Sequence, residues 1–221
     1  MGGSDNIETL QQQLAELAVN YERAANKLSA ARTKAATTMA AEINEQLHRL
    51  SMEGAELLIQ LTPVNPEGYR LNGLEEIEFL LATNPGQPHK MLAKIASGGE
   101  LSRVSLAIQV VAASHSKIPT LVFDEVDVGI GGSTADIVGQ LLKQLGDRGQ
   151  VISVTHQPQV AAHAHHHYRA SKVIEDNNAE SLMSPLDHQQ RVAELARMLG
   201  GAKVTDQTVS HASELLSLAS T

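Results

Sequence analysis

Residues Thr120 to Asp127 read TLVFDEVD. Leu121, Val122 and Phe123 run straight into Asp124 and Glu125. A run apolar on both faces predicts a buried strand of a parallel sheet. Two adjacent carboxylates at the end of such a strand are costly unless a cation sits there. Mg²⁺ on Asp124, with Glu125 orienting a water, is one explanation. A strand that simply emerges into solvent is the other, and the stretch alone leaves both open.

Downstream, Ser133 to Leu145 reads as a helix, and Val151 to His156, VISVTH, as a second apolar strand. Both strands end in polar residues at their carboxyl ends, where open α/β sheets place ligands. His156 stands where it could reach a terminal phosphate, although a lone histidine is more often structural. Upstream, Ile95 to Arg103 reads IASGGELSR and leads into an apolar helix over Ser102 to Ser114. Ser97, Gly98, Gly99 and Glu100 there form a loop whose N–H groups, with the positive helix end, suit a phosphate. Such loops are common, and this one is weak evidence by itself.

The rest of the second half continues the alternation of strand and helix. A short helix is expected over Gln157 to Ala164, a third strand over HHHYRASKVI, and a turn at Asp176 to Asn178. Helices follow over Asp187 to Leu199, with an Asp cap and a Gly200-Gly201 stop, and over Asp206 to Leu218. His163, His165, His166 and His167 could take up a metal adventitiously. On a strand, His165 and His167 would share a face. No carboxylate or cysteine stands in obvious register with them.

Residues 5–60 contain one glycine and no proline and read as a single helical block. Ile7, Leu10, Leu14, Leu17, Tyr21, Ala24, Leu28, Ala31 and Ala35 keep a 3-4-3-4 spacing, the seam of a coiled coil. Met39, Ile43, Leu47 and Leu50 continue it with a change of phase. Nothing later in the sequence matches its length, so a partner helix from elsewhere is expected. The alternative is a long amphipathic helix packed on its own domain. Pro63 and Pro66 end the block, and a short strand is expected near Ile77 to Ala82. The domain division is therefore 1–60, a coiled-coil helix, and 61–221, an α/β lobe.

Composition narrows the function. Aromatic residues make up 2% of the 221, too few for a module that stacks bases. The net charge of −8 gives no overall electrostatic footprint for DNA. There is no cysteine, which excludes disulfides and Cys-ligated zinc and fits a reducing compartment. No apolar run reaches 18 residues, so no membrane partner and a cytoplasmic location are expected.

Signature loop, helix, acidic strand end, helix, then a strand ending in His is the order of the second half of an ABC-type ATPase head. ASGGELSR, FDEVDVGIGG, VTHQPQVAAHA and the closing HQQRVAELARMLGG together resemble the RecN family of bacterial SMC-like repair ATPases. The resemblance covers residues 5–221. It implies the C-terminal lobe of an ABC/SMC-type head, a largely parallel sheet with flanking helices, preceded by a coiled-coil helix. It implies a nucleoid-associated role in double-strand-break repair and recombination, with ATP and Mg²⁺ as cofactors.

Residue by residue, the resemblance implies that Ser97, Gly98, Gly99 and Glu100 form the signature loop. That loop contacts the γ-phosphate of ATP held by an opposing head. Asp124 would be the Walker B aspartate on Mg²⁺, through water, and Glu125 the general base. Asp127 would lie in the loop that communicates across the head dimer, and His156 would be the switch histidine. The sequence has no G-x-x-x-x-G-K-[ST] and no Gly-Lys pair. In the family the Walker A loop precedes the coiled coil, so the chain is expected to begin inside the returning helix. The implied partners are an N-terminal Walker A half of the same head, a second head in an ATP-sandwiched dimer, and DNA through the complete protein. Alone, the chain is expected to be inactive as an ATPase. A head fragment of another SMC-like chromosome-structure ATPase, or a non-enzymatic dimerisation module using residues 7–50, remain the alternatives.

Overall fold

The computed structural model describes residues 4–64, 69–95, 98–116, 118–124, 126–175, 178–201 and 203–219. The chain divides into two compact units, Met1–Glu45 with Gly54–Ile95, and Gln46–Glu53 with Ala96–Thr221.

Helix α1 spans Ser4–Arg49 and ends eleven residues before the expected position at 60. The reason is local. Ser51 takes φ +59°, the left-handed conformation that closes a helix. Ser51 N–H donates to His48 O at 3.2 Å, and Met52 N–H to Leu47 O at 3.0 Å. These are the two bonds of a Schellman stop, and Leu47 and Met52, its usual apolar pair, are both buried.

Residues 56–60, expected to be helical, instead open strand β1 (Glu56–Pro63). β1 pairs antiparallel with β2 (Glu75–Ala82), which pairs with β3 (Lys90–Met91). A short 3₁₀ turn, Leu92–Lys94, follows. Asn44 secures β1 to α1, accepting from Leu57 N–H at 2.7 Å and donating to Leu57 O at 3.0 Å. Farther up the helix, Tyr21 Oη donates to Arg70 O at 3.1 Å and its ring meets Tyr69 edge-on at 4.8 Å. Arg32 donates to Asn72 O at 2.7 Å. From Tyr21 to Asn44, α1 thus packs on its own unit. Ile7, Leu10, Leu14 and Leu17, the start of the heptad seam, are exposed.

The second unit contains α2 (Gly98–Ser114), β4 (Thr120–Asp124), α3 (Gly132–Gly146), β5 (Gln150–Val154) and α4 (Pro158–His163). Strands β6 (Tyr168–Glu175) and β7 (Asn178–Pro185), then α5 (His188–Gly200) and α6 (Asp206–Ala219), complete it. β4 and β5 are the parallel pair, in register Thr120 to Gln150 through Asp124 to Val154. Only one face of this pair is covered. Phe123 is buried, while Val122, Ile152 and Val154 are exposed, so the expected burial of both faces is not met within this chain.

β6 and β7 form an antiparallel hairpin. β7 has no counterpart in the sequence reading, because NAESLMSP lacks the β-branched and aromatic residues that mark strands. Of the expected turn, Asp176 and Asn177 lie outside the described residues. Apart from Phe123, the buried apolar side chains are mostly Leu, Val, Ile and Ala, as the scarcity of aromatics requires. Ala161, Ala162, Leu195, Ala196, Ala212, Leu216 and Ala219 hold α4, α5 and α6 together. Asp187 and Gln190 form a capping box on α5, and Gly201 ends it at φ +59°.

Candidate functional site

Because β4 and β5 are parallel, their carboxyl ends lie on the same side. Asp124 closes β4 and is exposed, and its side chain has no hydrogen-bond or ion-pair partner among the described residues. A carboxylate so placed fits a hydrated Mg²⁺, which binds through one or two carboxylates and keeps several waters. His156 stands two residues beyond Val154 with its side chain 64% exposed. Ser97 and Glu125 lie outside the described residues.

α2 begins at Gly98, and its first-turn N–H groups have no intrahelical acceptors. A Cβ on Gly98 would meet nothing within 4 Å, so the approach to this turn is open. Glu100 is half-buried in the same turn. Ser102 Oγ donates to Gly98 O at 3.0 Å and Arg103 Nε to Gly99 O at 3.3 Å. Arg103 Nη1 also donates to Leu50 O at 3.2 Å and Ser51 O at 3.4 Å, placing a cation on carbonyls at the end of α1.

Asp127 is turned inward. It is 0% exposed, and its Oδ2 accepts from three donors: Thr155 Oγ1, His156 N–H at 3.1 Å and Gln157 N–H at 3.2 Å. Three donors offset the desolvation of a buried carboxylate. The resemblance groups Asp127 with residues that reach a facing head, whereas its side chain here braces the turn that carries His156. Thr155 Oγ1 also accepts from Gln157 N–H at 3.0 Å, and Gln157 Nε2 donates to Ile130 O at 2.8 Å.

The turn after β4 meets α2 as well. Gly129 has φ +74°, and a Cβ there would stand 3.4 Å from Gly99 Cα. Residues 127–130 therefore touch both the start of α2 and the turn at 155–157. The structure brings Gly98, Gly99, Asp127 and His156 into one connected region, at the end of the strand that carries Asp124. Gly129, Thr155 and Gln157 were not singled out by sequence reasoning. A glycine placed for positive φ and a Thr two residues before a turn N–H were the signals present.

The other histidines fall outside this region. His163 is buried in α4 with Nε2 2.8 Å from Asp136 Oδ1. His165 and His167 precede β6 rather than lying on it. Among the described residues no group of three His, Cys, Asp or Glu could hold a metal. Burial, then nearby Arg191, lowers the His167 pKa. Glu194, buried in α5, is held below its ordinary value first by its hydrogen bonds from Arg197, the shortest 2.6 Å.

No family profile matches the chain. It is 49% identical over 211 residues to the DNA repair protein RecN of Xylella fastidiosa (strain 9a5c), covering 96% of this chain and 38% of that protein. It is 45% identical to the DNA repair protein RecN of Haemophilus influenzae, over 97% of this chain and 38% of that one. This chain belongs to the RecN family. It spans less than two-fifths of the length of these RecN relatives.

Solved structures agree on the fold of this RecN segment. The Smc head domain with a coiled coil and joint from Pyrococcus yayanosii matches with a TM-score of 0.64 at 22% identity, over 86% of this chain and 34% of that one. A chain from a study of ATP-driven dimerization and DNA-stimulated activation of SMC ATPases matches with a TM-score of 0.53 at 21% identity, over 76% and 94%. The fold is that of an SMC-type head region.

Proposed function

We propose that this chain is the C-terminal lobe of a RecN-type ATP-hydrolysing head that acts in DNA double-strand-break repair and recombination. The observation that carries the reading is the exposure of Asp124 and His156 past the carboxyl ends of one parallel strand pair, linked through Gly129 to the open N-terminus of α2. Asp124 would hold Mg²⁺ through water, and Glu125 would take the proton of the attacking water. His156 would meet the γ-phosphate. Ser97, Gly98, Gly99 and Glu100 would contact the γ-phosphate of ATP held by the opposing head. Phosphoryl transfer of this kind depends on positioning and charge stabilisation.

Two uncovered apolar surfaces support the partner assignment. Val122, Ile152 and Val154 form an exposed sheet face, which the Walker A half of the head would cover. Ile7, Leu10, Leu14 and Leu17 form an exposed stripe, which the other strand of an antiparallel coiled coil would cover. DNA would be held by the complete protein, since the net charge here is −8. No helix of the described residues is long and apolar enough to cross a membrane.

The test is reconstitution. The chain alone should show negligible ATP hydrolysis, and Mg²⁺-dependent hydrolysis should appear when a Walker A half is added. Glu125→Gln should keep ATP binding in that complex but stall turnover. Robust hydrolysis by the lone chain, or unchanged turnover in Glu125→Gln, would sink the assignment. The exposed α1 stripe also supports a second reading, a dimerisation module that never meets ATP. A dimer lost on removing residues 1–50, with no response to the Walker A half, would favour it.

A further inference from the structure

We propose that Asp127 is a positioning residue that sets the tautomer of His156. It commits the ring proton to Nδ1 and leaves Nε2 as the outward-facing acceptor. Two independent restraints on one ring lead to the same answer.

The first lies at Nδ1. Asp127 Oδ1 is buried and, unlike Oδ2, has no hydrogen-bond partner among the described residues. Nδ1 of His156 stands 3.4 Å from it, close enough for an ion pair although outside hydrogen-bond geometry. A buried carboxylate oxygen accepts and cannot donate, so a proton on Nδ1 satisfies it with a small rotation of the ring. A bare Nδ1 would set two lone pairs against each other.

The second lies at Nε2. Gln157 Nε2 is 2.8 Å from the Ile130 carbonyl oxygen, which fixes the orientation of the amide, since two oxygens at that distance would repel. The same Nε2 faces His156 Nε2 at 3.4 Å. An amide nitrogen only donates, so His156 Nε2 must accept. A neutral imidazole carries one N–H, which is then on Nδ1.

A carboxylate behind Nδ1 that orients the ring and fixes its tautomer is the logic of hydrolytic triads. It applies here on the proposed reading that His156 meets a phosphate. The tautomer assignment itself does not depend on that reading.

The experiment is a long-range ¹H–¹⁵N correlation spectrum of the ¹⁵N-histidine-labelled chain. It is recorded at pH about 8.5, well above the ordinary imidazole value of about 6.5. His156 is assigned by its loss in His156→Gln. The Nδ1–H pattern is expected in the wild type. In Asp127→Asn with Gln157→Leu the amide oxygen at 127 can still accept the three donors at Oδ2, the new NH₂ faces Nδ1 and the donor facing Nε2 is gone, so His156 should change to the Nε2–H pattern. An Nε2–H pattern in the wild type, or no change in that double variant, overturns the proposal. Should that variant not fold, the wild-type spectrum still decides, together with Gln157→Leu. That variant removes the restraint at Nε2, together with the bond to Ile130 O, and leaves Asp127 in place, so it should retain Nδ1–H; a change to Nε2–H would overturn the proposal. In the reconstituted head, Asp127→Asn should lower kcat on the order of 10-fold with little change in KM. A changed tautomer with unchanged kcat leaves the assignment standing and removes His156 from the phosphate-contact role.

Discussion

Asp127 and His156 are joined twice. The backbone N–H of His156 donates to Asp127 Oδ2 at 3.1 Å, and its ring Nδ1 faces Asp127 Oδ1 at 3.4 Å. A residue at the turn after one strand thereby holds both the main chain and the side chain of a residue after the neighbouring strand. The exposure of His156 is thus built on a buried anchor.

Thr155 is the part of that anchor whose removal is cleanest. Its hydroxyl donates to Asp127 and accepts from Gln157 N–H. Thr155→Val keeps the shape and leaves both partners short of a bond in a half-buried turn. It should cost about 2 kcal/mol, and Thr155→Ser should recover most of it. Thermal unfolding of the two variants checks this; a Thr155→Val protein as stable as the wild type would mean that the hydroxyl does not matter.

Gly139 offers a case where helix propensity and packing oppose each other. Gly→Ala inside a helix ordinarily gains about 1 kcal/mol. Here a Cβ would stand 2.5 Å from His163 Cδ2 and 3.1 Å from Gln159 O. The His163 ring cannot yield easily, because it is buried and bonded to Asp136 at 2.8 Å. Gly139→Ala should therefore destabilise by about 2 kcal/mol. In a His163→Ala background most of that penalty should vanish. Strict additivity of the two substitutions would show that the ring is not the obstacle.

Apart from β7, the order of elements from residue 98 to 219 was legible because it is written in short-range signals. Apolar runs ending in acids gave β4, and the Asp187 cap and Gly201 stop gave α5. The end of α1 was not legible, because ELLIQL carries an apolar pattern that fits helix or strand. The choice is made by pairing with residues 75–82, many positions away. The site followed the same division. Asp124, His156 and the glycines of α2 could be picked out by position and motif. The inward turn of Asp127 could not, since it depends on donors some 30 residues on, at Thr155, His156 and Gln157.

Acid should weaken the second unit in two stages, because two pKa shifts act in the same direction. Burial lowers the pKa of His167, so between its ordinary 6.5 and its lower folded value the unfolded chain binds the proton that the folded chain refuses. Stability is therefore lost as pH falls below 6.5. Arg197 lowers the pKa of Glu194, whose contribution is full above the ordinary 4.5 and is lost as pH falls below it. Urea unfolding across pH 3–8 should show both windows. His167→Gln should remove the upper one and Glu194→Gln the lower one. A pH profile unaltered by either substitution would rule out these groups as the source.

The exposed start of the α1 seam makes the last prediction the most direct test of whether a partner helix is needed. Leu14 and Leu17 are 61% and 65% exposed, whereas Ile43 on the same helix is fully buried. Leucine and glutamine have similar helix propensities. In the dilute lone chain, Leu14→Gln with Leu17→Gln should therefore change stability by less than about 0.5 kcal/mol. Ile43→Gln should cost about 3 kcal/mol or more, since it leaves a cavity and buries an amide. Pairing should respond in the opposite order. Against a synthetic helix carrying a complementary heptad seam, or against a Walker A half that includes one, the double variant should lose most of its affinity. If the double variant instead lowers the thermal midpoint of the lone chain as much as Ile43→Gln does, the stripe is packed within the monomer and no second helix is required to cover it.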